Sequence, residues 1–249
     1  MRKNDKIMIH TKEADMNASH LKWIGVITMT IDHIAVYLIH STTLLHWLLR
    51  GIGRIAFPLF AFMIAEGFHH TRNRFAYWLR LMLYTLLIEV FLVGYYLYTH
   101  INYSVLPFTG TGSSVNFILP LFFGLSALIL LHEKRVWLRP FALLIVVLAG
   151  WLGTPYGMYG VLLIIAFGIL RRVQWQLLAG VILTLLYVYG PIIMPTIPYY
   201  GFMQLQLLAI IPLLMLFAYN GRRGKSNRWF FYVYYPLHIG ILMLIAYWL

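Results

Sequence analysis

Cysteine is absent from the 249 residues, which removes disulfides, thiolate catalysis and cysteine-based zinc or iron–sulfur sites together. Charge is scarce as well. Only 10% of residues are charged, against about 25% in an ordinary soluble domain. So few charges cannot coat a water-facing surface. Acidic residues are scarcest, with 7 Asp and Glu against 19 Lys and Arg and a formal net charge of +12. Such an excess in isolation points to nucleic acid or an anionic membrane. There are too few charges to build a basic face, which argues against nucleic acid as a partner. Low hydrophobicity is also missing: 61% of residues are hydrophobic, which excludes intrinsic disorder. There is no internal repeat and no low-complexity linker.

What the chain has instead is apolar runs. A helix needs roughly 20 apolar residues to span a bilayer. Runs fall at 21–41, 51–69, 75–98, 115–132, 138–152, 157–170, 175–195, 203–219 and 229–249. The expected fold is therefore all-α, a polytopic transmembrane bundle of about nine helices. The runs at 138–152 and 157–170 are short and are parted by Gly153–Gly157, so a re-entrant hairpin over 138–170 is the alternative. Residues 1–16 read as a flexible basic cytoplasmic tail and 17–249 as a single transmembrane domain. The first run carries Asp32 and His33 and lacks a cleavage site, so it reads as a retained helix rather than a signal peptide. Asn17 or Ser19 would cap it.

Cytoplasmic loops are enriched in Lys and Arg. Here the cations group as Arg2, Lys3, Lys6, Lys12 and Lys22, then Arg72, Arg74 and Arg80, then Lys134, Arg135 and Arg139. Arg171 and Arg172 follow, then Arg222, Arg223, Lys225 and Arg228. Only Arg50 and Arg54 stand apart. The loops near 99–114, 153–157 and 190–203 have neither Lys nor Arg. The pattern places the N-terminus inside and the C-terminus outside, in the cytoplasmic membrane.

An ionisable residue inside a membrane helix is costly and marks a functional candidate. At a rise of ~1.5 Å per residue, Asp32 and His33 lie about 17 Å from the inner end of the first span, near mid-membrane. His238 falls near the middle of the last span. Glu89 lies nearer the outer side, Arg54 close to the outer end of the second span and Glu66 close to its inner end. Adjacent residues on a helix point about 100° apart, so Asp32 and His33 do not face each other. Asp32 is expected to reach a neighbouring helix, with Arg54 or His238 as its partner, while His33 faces a cavity. Thr28 and Thr30 are placed to help such a polar cluster. Glu66 is within reach of Arg72 or Arg74. Pro58, Pro120, Pro191 and Pro212 are expected to kink or break helices. Nothing resembles a metal motif. Gly51-Ile52-Gly53 follows no strand and Gly110–Ser114 is a flexible loop, so neither is a phosphate loop.

Several stretches resemble the TraX family: Asn17-Ala18-Ser19-His20-Leu21-Lys22, Thr30-Ile31-Asp32-His33-Ile34, and the long run from Gly51 to Asn73. Tyr77, Arg80-Leu81, Tyr156–Leu163, Ala218-Tyr219-Asn220-Gly221 and Phe231–His238 continue the likeness. The namesake of that family acetylates the N-terminus of conjugative pilin, and the family is thought to be related to the wider membrane acyltransferases. The resemblance implies an integral membrane acetyltransferase. It would move acetyl from cytoplasmic acetyl-CoA to an extracytoplasmic protein or glycan acceptor. His33 would be the base or transient acyl carrier and Asp32 would orient or balance it. Arg54, Glu66 and His238 are the further catalytic candidates, and Arg72 and Arg74 would meet the phosphates of acetyl-CoA. No metal is expected. A transporter or flippase with a midplane polar site is the alternative. Where family members often have Ser-Glu-Ile-Pro-Phe-Asp, this chain has Ile88-Glu89-Val90-Phe91-Leu92-Val93. Where they have Asn-Val-x-Phe-Thr, it has Ser114–Ile118. Both departures fall on the outer side, where an acceptor would approach.

Overall fold

A backbone surrounded by lipid must satisfy its N–H and C=O groups internally, which leaves helices as the solution for apolar runs of this length. A computed structural model of the chain describes residues 16–99, 116–193, 201–225 and 228–249. The basic stretch before Met16, the Gly110–Ser114 loop and the rest of 100–115, and residues 194–200 lie outside the described residues. The helices are α1 (Ala18–Leu38), α2 (Leu44–Gly53), α3 (Ala56–His70), α4 (Arg74–Thr99) and α5 (Leu119–Leu131). After them come α6 (Phe141–Trp151), α7 (Gly157–Ile169), α8 (Val173–Ile193), α9 (Ile210–Met215) and α10 (Arg228–Trp248). A 3₁₀ stretch, Gly201–Ala209, leads into α9.

Five stretches are long and apolar enough to cross a membrane: Ala18–Leu38, Leu44–His70, Arg74–Tyr95, Val173–Pro191 and Trp229–Trp248. Four shorter apolar stretches are Leu119–Leu131, Val136–Trp151, Gly157–Ile169 and Gln204–Ala218. Among the described residues these nine fall in order on the nine runs read from the sequence. Leu44, Val90, Leu97 and Leu143 are among many large apolar side chains left exposed. A bilayer solvates such a surface, whereas on a water-soluble monomer it would be an aggregation hazard.

The chain divides into two compact units, residues 1–63 with 169–228 and residues 64–168 with 229–249, the boundary falling inside α3. In the first, α1 packs on α2, and Gly201–Ala209 packs on α2 and α8. In the second, α5 packs on α4 and α6, around Ala127, Ala142, Val146, Ala149 and Val161. Small residues set close approaches there, as is usual between membrane helices. A Cβ on Gly124 would overlap Ile164, and one on Gly168 would overlap Leu128.

The second span differs from expectation in one respect. It begins earlier, at Leu44, and is broken at Arg54–Ile55 into α2 and α3. Thr43 caps α2 through a bond from His46 N. The break has a local cause. A helical ladder needs residue 58 to donate to the carbonyl of Arg54, and Pro58 has no N–H. The other prolines do less than expected. Pro120 sits in the first turn of α5, where the missing donor is no loss. Pro191 lies inside α8 near its end, and Pro236, not singled out from sequence, lies inside α10.

Candidate functional site

Asp32 lies on the buried side of α1, 5% exposed. Both its carboxylate oxygens are taken by guanidiniums from α2 and its C-cap. Arg50 Nη1 donates to Oδ2 at 2.7 Å and Arg54 Nη2 donates to Oδ1 at 2.9 Å. Arg54 Nε also donates to the carbonyl of Arg50 at 3.1 Å, which ties the two cations together. Arg54 is therefore not at the outer end of an apolar segment. It sits inside the Leu44–His70 stretch and is 7% exposed. Arg50 was missed from sequence, although its spacing held the signal: residues four apart share a helix face. The approach is so close that a Cβ on Gly53 would overlap the Asp32 carboxylate. Gly51 faces Leu208 in the same way, its would-be Cβ 2.9 Å from that side chain. The Gly51-Ile52-Gly53 pair is thus a packing device.

His33 is buried, 4% exposed, with its ring edge toward Tyr37 at 6.3 Å. The Thr28 and Thr30 hydroxyls donate to carbonyls of their own helix, Ile24 at 2.8 Å and Val26 at 2.8 Å. Both of these bonds lie within α1. His46, also missed from sequence, ties α2 to α1: its Nδ1 lies 2.9 Å from Ala35 O and 3.1 Å from Ile39 O. A ring nitrogen between two carbonyls must carry the proton.

The other candidates lie in the second unit. Glu66 Oε2 is 3.5 Å from His70 Nδ1, and that nitrogen is 2.9 Å from the Glu66 carbonyl. Arg72 is exposed. The Arg74 guanidinium lies 4.1 Å from the centre of the buried Phe68 ring, a cation–π arrangement. His238 Nδ1 is 2.8 Å from the Tyr234 carbonyl, one turn back in α10. Its ring stacks on Tyr234 at 4.8 Å. Glu89 Oε2 accepts from Asn116 Nδ2 at 2.9 Å, and the same nitrogen reaches Thr85 O at 3.1 Å. Asn116 is fully buried, so an Asn two places after the family's usual position anchors Glu89. Among the described residues there is no group of three or more His, Asp or Glu placed to hold a metal.

A helical chain with five long apolar spans and a buried carboxylate clamped by two arginines is a multi-pass membrane protein. The TraX protein family model matches residues 17–246, and the chain belongs to that family. A curated relative is the probable fimbrial assembly protein FimC, serogroup H1, of Dichelobacter nodosus, 27% identical over 93% of this chain and 96% of its own length. No solved structure matches the chain.

Proposed function

We propose that the protein is a cytoplasmic-membrane acetyltransferase, moving acetyl from acetyl-CoA at the cytoplasmic face to an acceptor on the far side. The acceptor class is the amine of a pilin- or fimbria-type subunit, with a surface glycan hydroxyl second. Membership of a family associated with pilin acetylation and likeness to a fimbrial assembly protein support this reading. The observation that carries it is the buried ion cluster of Asp32, Arg50 and Arg54 beside His33.

The residues divide the work as follows. His33 takes the proton of the acceptor as its nitrogen or oxygen attacks the thioester carbonyl. The oxyanion collapses, the carbon–sulfur bond breaks, and the proton passes to the departing thiolate. Asp32 is committed to the two arginines, and on the same helix its neighbour His33 points about 100° away from it. Its role is to hold Arg50 and Arg54 in place. Guanidiniums fixed in this way favour a developing oxyanion in a dry site. Arg72 and Arg74 receive the phosphates of acetyl-CoA. Stacking on Phe68 leaves the edge of the Arg74 fork available for in-plane bonds. His238 is the second base candidate: with Nδ1–H committed to the Tyr234 carbonyl, its lone pair is on Nε2. Glu66 holds His70 near the same arginines.

The test uses full-length protein in liposomes with acetyl-labelled acetyl-CoA and a peptide copying a fimbrial subunit N-terminus. Label is expected in the peptide, and His33→Ala is expected to lower the rate at least about 100-fold. A wild-type rate in His33→Ala removes His33 from the chemistry. Counterflow of the acceptor in liposomes without acetyl-CoA, with no transfer, replaces the enzyme by a transporter.

A further inference from the structure

Two of the stretches that carry the family likeness, Asn17–Lys22 and Ala218–Gly221, have no part in the chemistry above. They lie about 200 residues apart, yet the fold joins them within the first unit. Met16 N donates to Ala218 O at 2.9 Å, Asn220 N donates to Met16 O at 2.8 Å, and Ala18 N donates to Arg222 O at 2.9 Å. Ser19, 5% exposed, donates its hydroxyl to Lys225 O at 2.7 Å. The Asn220 side chain accepts from Arg222 N at 2.9 Å. Gly221 and Gly224 adopt φ values of 71° and 67°, a region that favours glycine. A Cβ on Gly224 would overlap Asn17. The loop Gly221–Lys225 is thus built to one shape against the start of α1.

That shape holds cations. Arg222, Arg223 and Lys225 are exposed, and Arg223 lies close enough to Lys22 for the two charges to repel. Asn17 already caps the amides of Ser19 and His20, so the helix terminus itself is not the attraction. An orientation signal needs charge alone. A loop pinned by two positive-φ glycines and a buried serine is more than that. Its place at the start of a candidate membrane span points to the partner. The cluster sits where a membrane-crossing helix begins, with Trp23 exposed directly after Lys22. Trp and Lys at such a level mark the headgroup layer.

We propose that Lys22, Arg222, Arg223 and Lys225 form a binding surface for the headgroup of an anionic phospholipid. The shape of the loop, and not merely its charge, is what makes the surface selective. The phosphodiester would sit between the two arginine forks, which suit phosphate geometry.

The experiment measures binding of a fluorescent phosphatidylglycerol, and of the matching phosphatidylcholine, to full-length protein in a neutral detergent. Wild type is expected to prefer the anionic lipid. Arg222→Gln with Arg223→Gln is expected to weaken that binding about 30-fold, at roughly fivefold per arginine near an anionic surface. Gly224→Ala keeps every charge but strains the loop, and is expected to lose most of the preference. Lys134→Gln with Arg135→Gln removes the same charge from another loop and is expected to change little. Monodispersity and thermal unfolding of each variant guard against misfolding. Equal losses in the two double variants, or wild-type binding in Gly224→Ala, overturn the proposal. So does a loss of CoA binding, with lipid binding intact, in the Arg222 and Arg223 variant. None of these results depends on acetyl transfer.

Discussion

Replacing Asp32 with Asn keeps the shape of the side chain and removes its charge. Arg50 and Arg54 would then face each other across a neutral amide that satisfies one guanidinium at most. Arg54 is 9% exposed at its side chain and Arg50 17%, so water cannot compensate fully. Removing one partner of a buried ion pair costs about 3–5 kcal/mol, because the remaining charge is left uncompensated. At roughly 2–4 °C per kcal/mol for a chain of this size, the expected fall in Tm is on the order of 10 °C. The assay is thermal unfolding of the purified protein in detergent, run as a double-mutant cycle. Arg54→Gln alone is expected to cost less than Asp32→Asn, since Arg50 still pairs with the carboxylate. The double variant Asp32→Asn with Arg54→Gln is expected to be more stable than the sum of the singles predicts, by about 1–3 kcal/mol. A Tm for Asp32→Asn within 2 °C of wild type, taking ~2–4 °C per kcal/mol as the scale, refutes the view that the carboxylate holds the two arginines in place. So does strict additivity in the cycle.

The two neighbouring glycines offer a sharper contrast. Gly53→Ala drives a methyl into the Asp32 carboxylate and is expected to cost about 1–3 kcal/mol and to depress acetyl transfer. Gly51→Ala meets only the flexible end of Leu208 and is expected to cost well under half as much, which unfolding of the two variants will show. The absence of cysteine makes orientation directly measurable. Single cysteines at Lys134 and Gly110 in sealed vesicles are expected to react with an impermeant maleimide from opposite sides, Gly110→Cys from outside. Labelling of both from one side refutes the nine-span, N-inside arrangement.

Most of the architecture was legible because membrane helices announce themselves by composition. The nine runs rest on apolar length alone, and no alternation or amphipathic period had to be judged. The boundary that went unread was local. Residues 42–50 contain His46 and Arg50 and look like a loop, yet Leu44–Gly53 is a helix. Its polar side chains turn inward to α1, His46 to backbone carbonyls and Arg50 to Asp32. A hydropathy window averages over that face and cannot see it. The partner of Asp32 was half legible. Arg54 is an expected partner from sequence, whereas nothing in the apolar pattern marks Arg50. Nor could sequence show that Asn116 would hold Glu89, since the pairing depends on how α5 meets α4.

The segment Arg50–Pro58 reads as one device once its parts are set beside the fold. Arg50 and Arg54 are one helical turn apart, so both reach the same carboxylate. Gly53 lies between them because the Asp32 side chain occupies the space a Cβ would need. Pro58 denies the ladder its donor to Arg54, so the helix opens at the point where the second arginine must bend toward α1. Two guanidiniums gathered on one carboxylate favour negative charge that develops beside them, on a substrate or along a reaction, which is the role proposed for them. That inference rests on charge and geometry in this segment. It stands apart from the family's association with pilin, so a change of acceptor would leave it intact.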